Sequence, residues 1–446
     1  MSTQLILLVG TNPLPVWVAW EHLKDLLSPI SGVLLVHTKN TEDEAERLRK
    51  HIPMKSDLKQ SLSTEPGNPR DISRKVGGFL KDIPETVQSI HVHYTGGTKV
   101  MAVYTVATVE GYAQDRKIEV QTSYLDPRDG RGPKIIDRNG HELVIDPRKG
   151  IQPRLGRIAD LNGFQIGPFD HFYRGGMERC LAPSHLSDLQ LQAGASLLNQ
   201  LTNETKRKCF LSTFLNRDSE WNKLFGHKDK FVAPSSQTLF STSKGGWEES
   251  VLPLINQLLP TCRWDVKECQ MKYEPRSSKE GELEEMARFF KGRWLEYAAY
   301  DALKKALDQI ARGNSDRSNY EMFHSVNVRR VYKDKENQKT AKPFELDVVA
   351  ILGYQILVIS CGMQGEQEAV KKKGMEVITR ARQLGGAEAR AIMLCKADEQ
   401  AAKDMEEELF DEIGSSDRPL KVWGFKTWGK LETRLKDYLT NELIWV

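Results

Sequence analysis

A chain of 446 residues, 39% of them apolar, is long enough for two or three globular domains with sizeable cores. Its net charge of only +3 excludes a global basic field, so any nucleic-acid site has to be a local patch. The first ten residues, MSTQLILLVG, lack a charged leader, and their apolar run is too short to cross a membrane. We therefore expect a soluble, cytoplasmic protein.

Six cysteines without CxxC spacing favour reduced thiols over disulfides or a zinc site: Cys180, Cys209, Cys262, Cys269, Cys361 and Cys395.

Residues 1–146 alternate between apolar strands and helices. Continuous apolar runs predict buried strands over Gln4–Gly10, Gly32–Thr38, Gln88–Tyr94 and Ile118–Leu125. Helical periodicity or charge patterning predicts helices over Leu14–Leu27, Glu42–Lys50, Asp71–Lys81 and Val100–Gly111. Two glycine turns predict a terminal hairpin of Lys134–Asp137 and Glu142–Asp146. The alternation favours a doubly wound, mostly parallel sheet.

The sequence His93–Met101, HYTGGTKVM, lies where the third predicted strand ends and a helix begins. Such a turn leaves backbone N–H groups free, and with the helix dipole these favour a phosphate or another anion. Gly96 and Gly97 allow close backbone approach, while Thr95, Thr98 and Lys99 add hydroxyls and a positive charge. The sequence is not a Walker A loop. On pattern alone, a tight turn with an incidental lysine explains it equally well.

A second polar loop, Gly10-Thr11-Asn12, follows the first predicted strand. Ligands of doubly wound sheets bind at the carboxyl ends of the strands, where this loop and the TGGTK turn both fall. Two loops that meet at one edge of a sheet favour a ligand site over an incidental turn.

The segments LLVG-TNPLP and YTGGTKVM resemble the CARF domain of CRISPR-associated ancillary effectors. The resemblance implies a Rossmann-like, dimeric domain that binds cyclic oligoadenylate across its two-fold axis. It implies that Gly10, Thr11 and Asn12 line one wall of the pocket. The other wall would be formed by Thr95, Gly96, Gly97, Thr98 and Lys99. A cyclic tetra-adenylate carries several phosphates and would need backbone donors and the lysine from each protomer.

Residues 147–282 carry little functional signal. The Pro-, Gly- and Arg-rich stretch Asp146–Pro183 is either a long linker or the start of a small irregular domain, and Tyr273–Gly281 indicates a second linker. Helices are predicted over His185–Leu201 and Trp247–Leu259. The basic runs Lys206–Lys208 and Lys228–Lys230 suit a phosphate-contacting face, although such runs are more often solvated surface.

Residues 283–446 predict a second α/β domain. The predicted helices are Leu283–Leu307, Glu366–Leu384 and Asp398–Phe410. The predicted strands are Phe323–Tyr332, Pro343–Leu352, Gln355–Cys361, Ala389–Cys395 and Leu420–Phe425.

Three carboxylates in this domain occupy positions that usually belong to a core. Glu296 projects from a mainly apolar helix face, where an acid is costly unless it is paired or bound to a metal. Strand alternation places Glu345 and Asp347 on one face, with Leu346 and Val348 on the other. One helix acid and two strand acids supply hard oxygen ligands for Mg²⁺ or Mn²⁺, which suits a metal-dependent phosphodiesterase.

The arrangement resembles the PD-(D/E)xK nuclease domain that is joined to CARF in ancillary nucleases. The resemblance implies that Glu296 is the helix glutamate and that Asp347, with Glu345, is the strand acid. That family ends its second strand in an acid-x-lysine or similar element, whereas this chain has Ser360-Cys361-Gly362. The lysine and one metal ligand are therefore absent from their usual place. The domain is either a nuclease with a substitute lysine or a nuclease-like fold that has lost catalysis.

Lys373 is the candidate for a substitute lysine. It lies three residues after Val370 and four before Val377, in register with the apolar stripe of the helix, whereas Lys371 and Lys372 point elsewhere. A long stem on a neighbouring helix can deliver an ammonium group to the site. The alternative is that Lys373 packs its stem over the sheet and keeps its charge in water.

A different signal, Arg317 with His324, fits the loose Arg–x–His pattern of HEPN ribonucleases, which are also common partners of CARF domains. The valines and alternation around His324 predict a strand there, whereas that pattern needs a helical domain.

The leading hypothesis is therefore a homodimeric, metal-dependent nuclease that cuts DNA or RNA when cyclic oligoadenylate binds. The rival is a ligand-gated protein that holds nucleic acid or a partner without cutting it.

Overall fold

The structure, a computed structural model, describes most of the chain, with gaps. The described residues are 2–27, 29–53, 59–127, 132–151, 154–173, 176–180, 183–214, 238–241, 248–258, 262–265, 270–273, 288–312, 320–331, 341–363, 365–414 and 418–443. Among them, no helix combines the length and the apolar character that a membrane span requires. The predicted fold class, an α/β chain with a Rossmann-like N-terminal sheet and a second α/β sheet, is confirmed.

The N-terminal sheet contains strands β1 to β7 in the order β3-β2-β1-β4-β5-β6-β7. Its first five strands are parallel, and β6 and β7 add an antiparallel hairpin. The strands are β1 Ser2–Leu8, β2 Ile30–Thr38, β3 Lys59–Thr64, β4 Val87–His93, β5 Glu119–Asp126, β6 Lys134–Asp137 and β7 Glu142–Ile145. The helices are α1 Leu14–Leu26, α2 Glu42–His51, α3 Pro69–Lys81 and α4 Lys99–Arg116.

The order of this sheet reverses at the pair β1 and β4. In doubly wound sheets a ligand binds in the crevice outside the carboxyl ends of the strands at such a reversal. The two predicted loops, Gly10–Asn12 and Thr95–Lys99, follow these two strands. The topology therefore places both loops at the site where this class of sheet binds its ligands.

The middle of the chain forms short elements. They are α5 Leu155–Leu161, β8 Phe164–Ile166, β9 Phe169–Tyr173, β10 Gly176–Cys180, α6 Asp188–Leu201, α7 Glu204–Phe214, β11 Thr238–Ser241, α8 Glu248–Leu258, β12 Cys262–Asp265 and β13 Gln270–Tyr273. The two helices that the sequence predicts here correspond to α6 and α8. Strand β8 joins the C-terminal sheet, so this middle region contributes to the second fold unit. Lys228–Lys230 lie outside the described residues.

The second sheet has the order β18-β17-β16-β15-β14-β8. Its strands beyond β8 are β14 Tyr320–Arg330, β15 Phe344–Leu352, β16 Gln355–Cys361, β17 Arg390–Leu394 and β18 Leu420–Trp423. Its helices are α9 Trp294–Arg312, preceded by a π-helical turn at Phe289–Arg293, then α10 Gln367–Gly385, α11 Glu399–Ile413 and α12 Leu431–Asp437. Each predicted C-terminal strand has an observed counterpart. The predicted residues 283–287 of the first helix lie outside the described residues.

One hydrophobic cluster connects the two sheets. It combines side chains of β1, β2, α1 and α2 with side chains of α5, β14 to β18, α10 and α11. Trp17 and Leu48 of the N-terminal unit and Val349 and Val377 of the C-terminal unit belong to it. A separate cluster covers the opposite face of the second sheet with α6, α8, α9 and α12. The two units therefore share a core.

Candidate functional site

The two predicted ligand loops touch through their backbones. A Cβ on Gly96 would lie 2.2 Å from the carbonyl oxygen of Leu8, and a Cβ on Gly10 would lie 3.0 Å from the backbone nitrogen of Gly97. Side chains at these positions would force the loops apart, so glycine is required for the contact. Gly97 has φ +76, in the left-handed region that favours glycine.

The N-terminus of the helix after the turn is capped by a threonine. The hydroxyl of Thr98 accepts a hydrogen bond from the backbone N–H of Met101 at 3.1 Å, which makes it the N-cap of α4. Thr98 also donates to the carbonyl oxygen of Pro66 at 3.0 Å. Lys99 is the first residue of the helix, and its side chain is exposed. These positions suit binding of a phosphate at the helix N-terminus.

Thr95 uses its hydroxyl inside the domain. Its oxygen accepts from the backbone N–H of Leu125 at 2.6 Å and lies 2.6 Å from Nε2 of His93. These two contacts hold the hydroxyl against β4 and β5. The predicted ligand contact of Thr95 stays untested, but its partners indicate a role in fixing the turn.

Beneath the turn lies a polar network that the sequence analysis missed. The hydroxyl of Ser123 lies 2.7 Å from Nε2 of His91 and 2.9 Å from Nδ1 of His93. Burial lowers the pKa of His91 to about 4 and that of His93 to about 3, so both rings are neutral at pH 7. The signal was available, because two histidines alternate along a strand that ends at the glycine turn.

The side chain of Asn12 contacts protein atoms, and its role as a ligand residue stays a prediction. Its Oδ1 accepts from the backbone N–H of Leu14 at 3.2 Å. A Cβ on Gly386, at the end of α10 in the second unit, would lie 1.7 Å from Nδ2 of Asn12. The side chain of Asn12 therefore packs against the backbone of Gly386, while its neighbour Thr11 is exposed.

In the second unit the carboxylate of Asp347 is tied to the end of β16. Its Oδ2 accepts from the backbone N–H of Cys361 at 2.7 Å and from the hydroxyl of Ser360 at 3.1 Å. Burial, and next the negative charge of Glu296, raise the pKa of Asp347 to about 6. A raised pKa caused by a second acid means that the two predicted catalytic carboxylates lie within interaction distance of each other.

Glu296 occupies the first turn of α9 and is bound by a histidine. Nε2 of His324 lies 2.8 Å from Oε2 of Glu296, and His324 is buried on β14. The ring of Tyr297 packs edge-on against that of His324, with centroids 5.3 Å apart. The predicted strand around His324 is confirmed. Arg317, its partner in the ribonuclease pattern, lies outside the described residues.

The prediction that Leu346 and Val348 share one face of the strand is wrong. Val348 packs in the cluster under α9, whereas Leu346 packs in the cluster on the opposite face of the sheet. The cause is a local irregularity at Ser325, which has φ +56 and lies between the pairs His324–Val348 and Val326–Leu346. The hydroxyl of Ser325 donates to the exposed carboxylate of Glu345. Left-handed backbone at a non-glycine residue beside an acidic site is typical of functional sites.

Lys373 reaches this site from α10. Its Nζ donates to the carbonyl oxygen of Cys361 at 2.8 Å and lies 3.8 Å from Oδ2 of Asp347. Its Cδ lies 3.7 Å from the place that a Cβ on Gly362 would take. The stem of Lys373 therefore runs past Gly362, the position where the sequence analysis expects a lysine. Lys371 instead pairs with Glu408, and Lys372 is exposed.

The donors at this site fit a divalent ion only in part. Across the residues that the structure describes, no three His, Cys, Asp or Glu side chains form a group that would hold a metal. Oδ1 of Asp347 and Oε1 of Glu296 accept no hydrogen bond within the same residues. Two carboxylates suffice for Mg²⁺, which usually keeps several waters and binds substrate phosphates. Glu345 as a further ligand stays a prediction.

The fold and the two candidate sites define a class of protein: a doubly wound sheet with two contacting glycine loops at its reversal point, joined through a shared core to a mixed sheet that carries two carboxylates and a lysine. No protein-family model and no curated protein sequence matches the chain.

Two solved structures share the fold over nearly the whole chain. Protein VC1899 from Vibrio cholerae matches with a TM-score of 0.65 and 13% identity, over 99% of this chain and 98% of that one. Can2 from Sulfobacillus thermosulfidooxidans, solved in complex with cyclic tetra-adenylate, matches with a TM-score of 0.62 and 13% identity, over 97% and 99%. A type III CRISPR defence DNA nuclease activated by cyclic oligoadenylate matches with a TM-score of 0.45 and 15% identity, over 89% of this chain and 45% of that one.

Proposed function

We propose that the chain is a cytoplasmic CRISPR ancillary effector: a homodimeric nuclease that cyclic oligoadenylate, as cyclic tetra-adenylate, switches on. The observation that supports this best is the contact of the Gly10–Asn12 loop with the TGGTK turn at the reversal point of the N-terminal sheet. Full-length likeness in fold to a protein solved with cyclic tetra-adenylate agrees with it.

In this proposal the ligand phosphates bind at the N-terminus of α4. Backbone N–H groups of Gly96 and Gly97 donate to them, and the ammonium group of Lys99 adds a charge-assisted contact. A cyclic ligand with several phosphates needs this set from two protomers. The exposed side chains of Val103 and Tyr104, one turn further along the same helix, suit a dimer contact beside the ligand.

The proposed reaction is hydrolysis of a phosphodiester in DNA or RNA. Mg²⁺ or Mn²⁺ would be held by Glu296 and Asp347, and it supplies an activated water and positive charge at the phosphate. Glu296 is oriented for this by His324, and Asp347 by the backbone of Cys361. Lys373 places an ammonium group beside Asp347, where it can stabilise charge that develops on the phosphate.

A second candidate function is a ligand-gated binding protein without nuclease activity. It is favoured by the lack of a three-ligand acidic group within the described residues and by Gly362 at the usual lysine position. In that case Lys373 neutralises Asp347 and keeps the sheet intact without catalysis.

The test combines calorimetry with cleavage. Wild type is titrated with cyclic tetra-adenylate and incubated with plasmid DNA and with RNA in Mn²⁺, with and without the nucleotide. Lys99→Ala should weaken nucleotide binding by roughly 1.5–3 kcal/mol per protomer. Asp347→Ala should bind the nucleotide and cleave neither substrate. Binding without cleavage by wild type would favour the second candidate, and absence of binding would reject both.

A further inference from the structure

We propose that Asn12 couples the ligand loop to the acidic site and does not itself bind the ligand. The inference rests on the proposed function, because it names how ligand binding in the N-terminal unit regulates the site at Asp347.

The side chain of Asn12 lies between the start of α1 and the end of α10. Its Oδ1 is used by the backbone N–H of Leu14, and its Nδ2 lies against the backbone of Gly386. Both polar ends of the side chain therefore face protein. Gly10, two residues earlier, instead borders Gly97 of the TGGTK turn. A ligand that orders Gly10 therefore also constrains Asn12, which follows it after two peptide bonds.

Gly386 lies directly after α10. Its φ of +71 and the closeness of Asn12 both exclude a larger residue. A second contact holds the same helix end, because Nδ2 of Asn162 donates to the carbonyl oxygen of Leu384 at 2.6 Å. The C-terminal end of α10 is thus contacted by a ligand-loop residue on one side and hydrogen-bonded by the residue after α5 on the other.

Helix α5 is itself bound to the N-terminal unit. His51 of α2 lies 2.6 Å from the carboxylate of Asp160, and Nε of Arg47 donates to the carbonyl oxygen of Leu161 at 2.8 Å. Asn162 therefore connects the end of α10 to α2, while Asn12 connects it to the ligand loop. If the ligand loop moves relative to α2, the end of α10 is displaced.

The opposite part of the same helix carries Lys373. Lys373 lies twelve residues before Gly385, roughly 18 Å along a helix that rises about 1.5 Å per residue. Its Nζ holds the carbonyl oxygen of Cys361 and lies beside Asp347. Val370, Val377 and Ala381 are buried along the helix, and in this proposal the packed helix transmits a displacement of one end to the other. A shift of about 1 Å is enough to break a 2.8 Å hydrogen bond.

The test uses Asn12→Ser in the full-length chain. Serine keeps an oxygen that can accept from Leu14 but lacks the amide that reaches Gly386. We expect cyclic tetra-adenylate affinity within about threefold of wild type by calorimetry. At saturating nucleotide the stimulation of cleavage should fall by about 5- to 150-fold, the usual range of allosteric coupling. Thr11→Ala, one residue earlier and exposed, is the matched control, which should weaken affinity and reach full stimulation at saturation.

Hydrogen exchange of residues 367–386 gives a readout that does not depend on cleavage. In wild type the nucleotide should change exchange at these amides, and in Asn12→Ser it should not. The inference is overturned if Asn12→Ser loses more than tenfold in affinity but is fully stimulated at saturation, because Asn12 is then a ligand residue. It is also overturned if wild type binds the nucleotide without any change in α10. Failure of wild type to bind the nucleotide would instead reject the proposed function.

Discussion

At the scale of single residues, the carboxyl group of Asp347 is held in an environment that disfavours its charge. Its pKa rises from 3.8 to about 6 on folding. Below about pH 3 both the folded and the unfolded states carry the proton, so the group has no effect on stability. As the pH rises to 6 the unfolded chain loses its proton first, and the folded state is destabilised by up to ~3 kcal/mol.

Asp347→Asn should therefore be more stable than wild type at pH 7 in the absence of metal, and the difference should vanish below about pH 3. Urea unfolding with EDTA at several pH values measures this. Glu345→Gln, an exposed carboxylate on the same strand, is the control and should shift stability by less than about 0.5 kcal/mol. Parallel pH profiles for Asp347→Asn and wild type would contradict the assigned environment.

The role of Lys373 leads to a second residue-scale prediction. If its ammonium group stabilises charge on the phosphate, Lys373→Ala should lower ligand-stimulated kcat by about 10²–10³-fold. Lys372→Ala, the exposed neighbour on the same helix, should leave it unchanged. Single-turnover cleavage in Mn²⁺ with saturating nucleotide separates the two. Full activity in Lys373→Ala would mean that the lysine has a structural role only, through its stem and its hydrogen bond to Cys361.

The sequence located Lys373 because helical spacing is a local property: its register with Val370 and Val377 places it toward the sheet, and both valines are buried. The partner of Asn12 lies 374 residues away, and no local pattern carries that information. The change of face between Leu346 and Val348 was equally invisible, because it depends on the backbone of a neighbouring strand at Ser325.

At the scale of elements, the turn between β4 and α4 depends on glycine for space as well as conformation. Gly96→Ala would place a Cβ 2.2 Å from the carbonyl oxygen of Leu8, so the turn must move away from β1. We expect a loss of about 1–3 kcal/mol in unfolding free energy, together with lost nucleotide binding.

The control for this prediction lies further along α4. A Cβ on Gly111 would meet nothing within 4 Å, and alanine in a helix interior gains up to ~1 kcal/mol over glycine. Gly111→Ala should therefore stabilise the protein and keep nucleotide binding. Thermal unfolding and calorimetry on both variants provide the measurements. A stable Gly96→Ala protein with unchanged affinity would show that the two loops need not touch.

The elements that sequence reasoning found are the long and apolar ones, and those it missed are short or polar. Strand β3, KQSLST, lies at the sheet edge and pairs with β2 through its backbone, so no hydrophobic pattern marks it. Helix α5 has seven residues and β8 has three, within a stretch rich in proline, glycine and arginine. Each is placed by tertiary contacts, because its own periodicity is too short to specify it.

At the scale of the whole molecule, the shared core links the stability of the two units. Helix α5 lies in the cluster that includes side chains from both sheets, and Ile158 is fully buried there. Ile72, on α3, is also fully buried but belongs to a cluster confined to the N-terminal unit. Truncation of either isoleucine to alanine removes a similar amount of apolar contact, which costs about 2–5 kcal/mol.

The two truncations should differ in where they act. Ile158→Ala should lower hydrogen-exchange protection in β1 and β2 and in β15 and β16 together, because its cavity weakens packing against both sheets. Ile72→Ala should lower protection mainly in the N-terminal sheet. Exchange measured by mass spectrometry on peptides from all four strands distinguishes these outcomes. If Ile158→Ala loosens one sheet and leaves the other protected, the two units unfold independently, and a rigid link through α10 can no longer carry a signal between them.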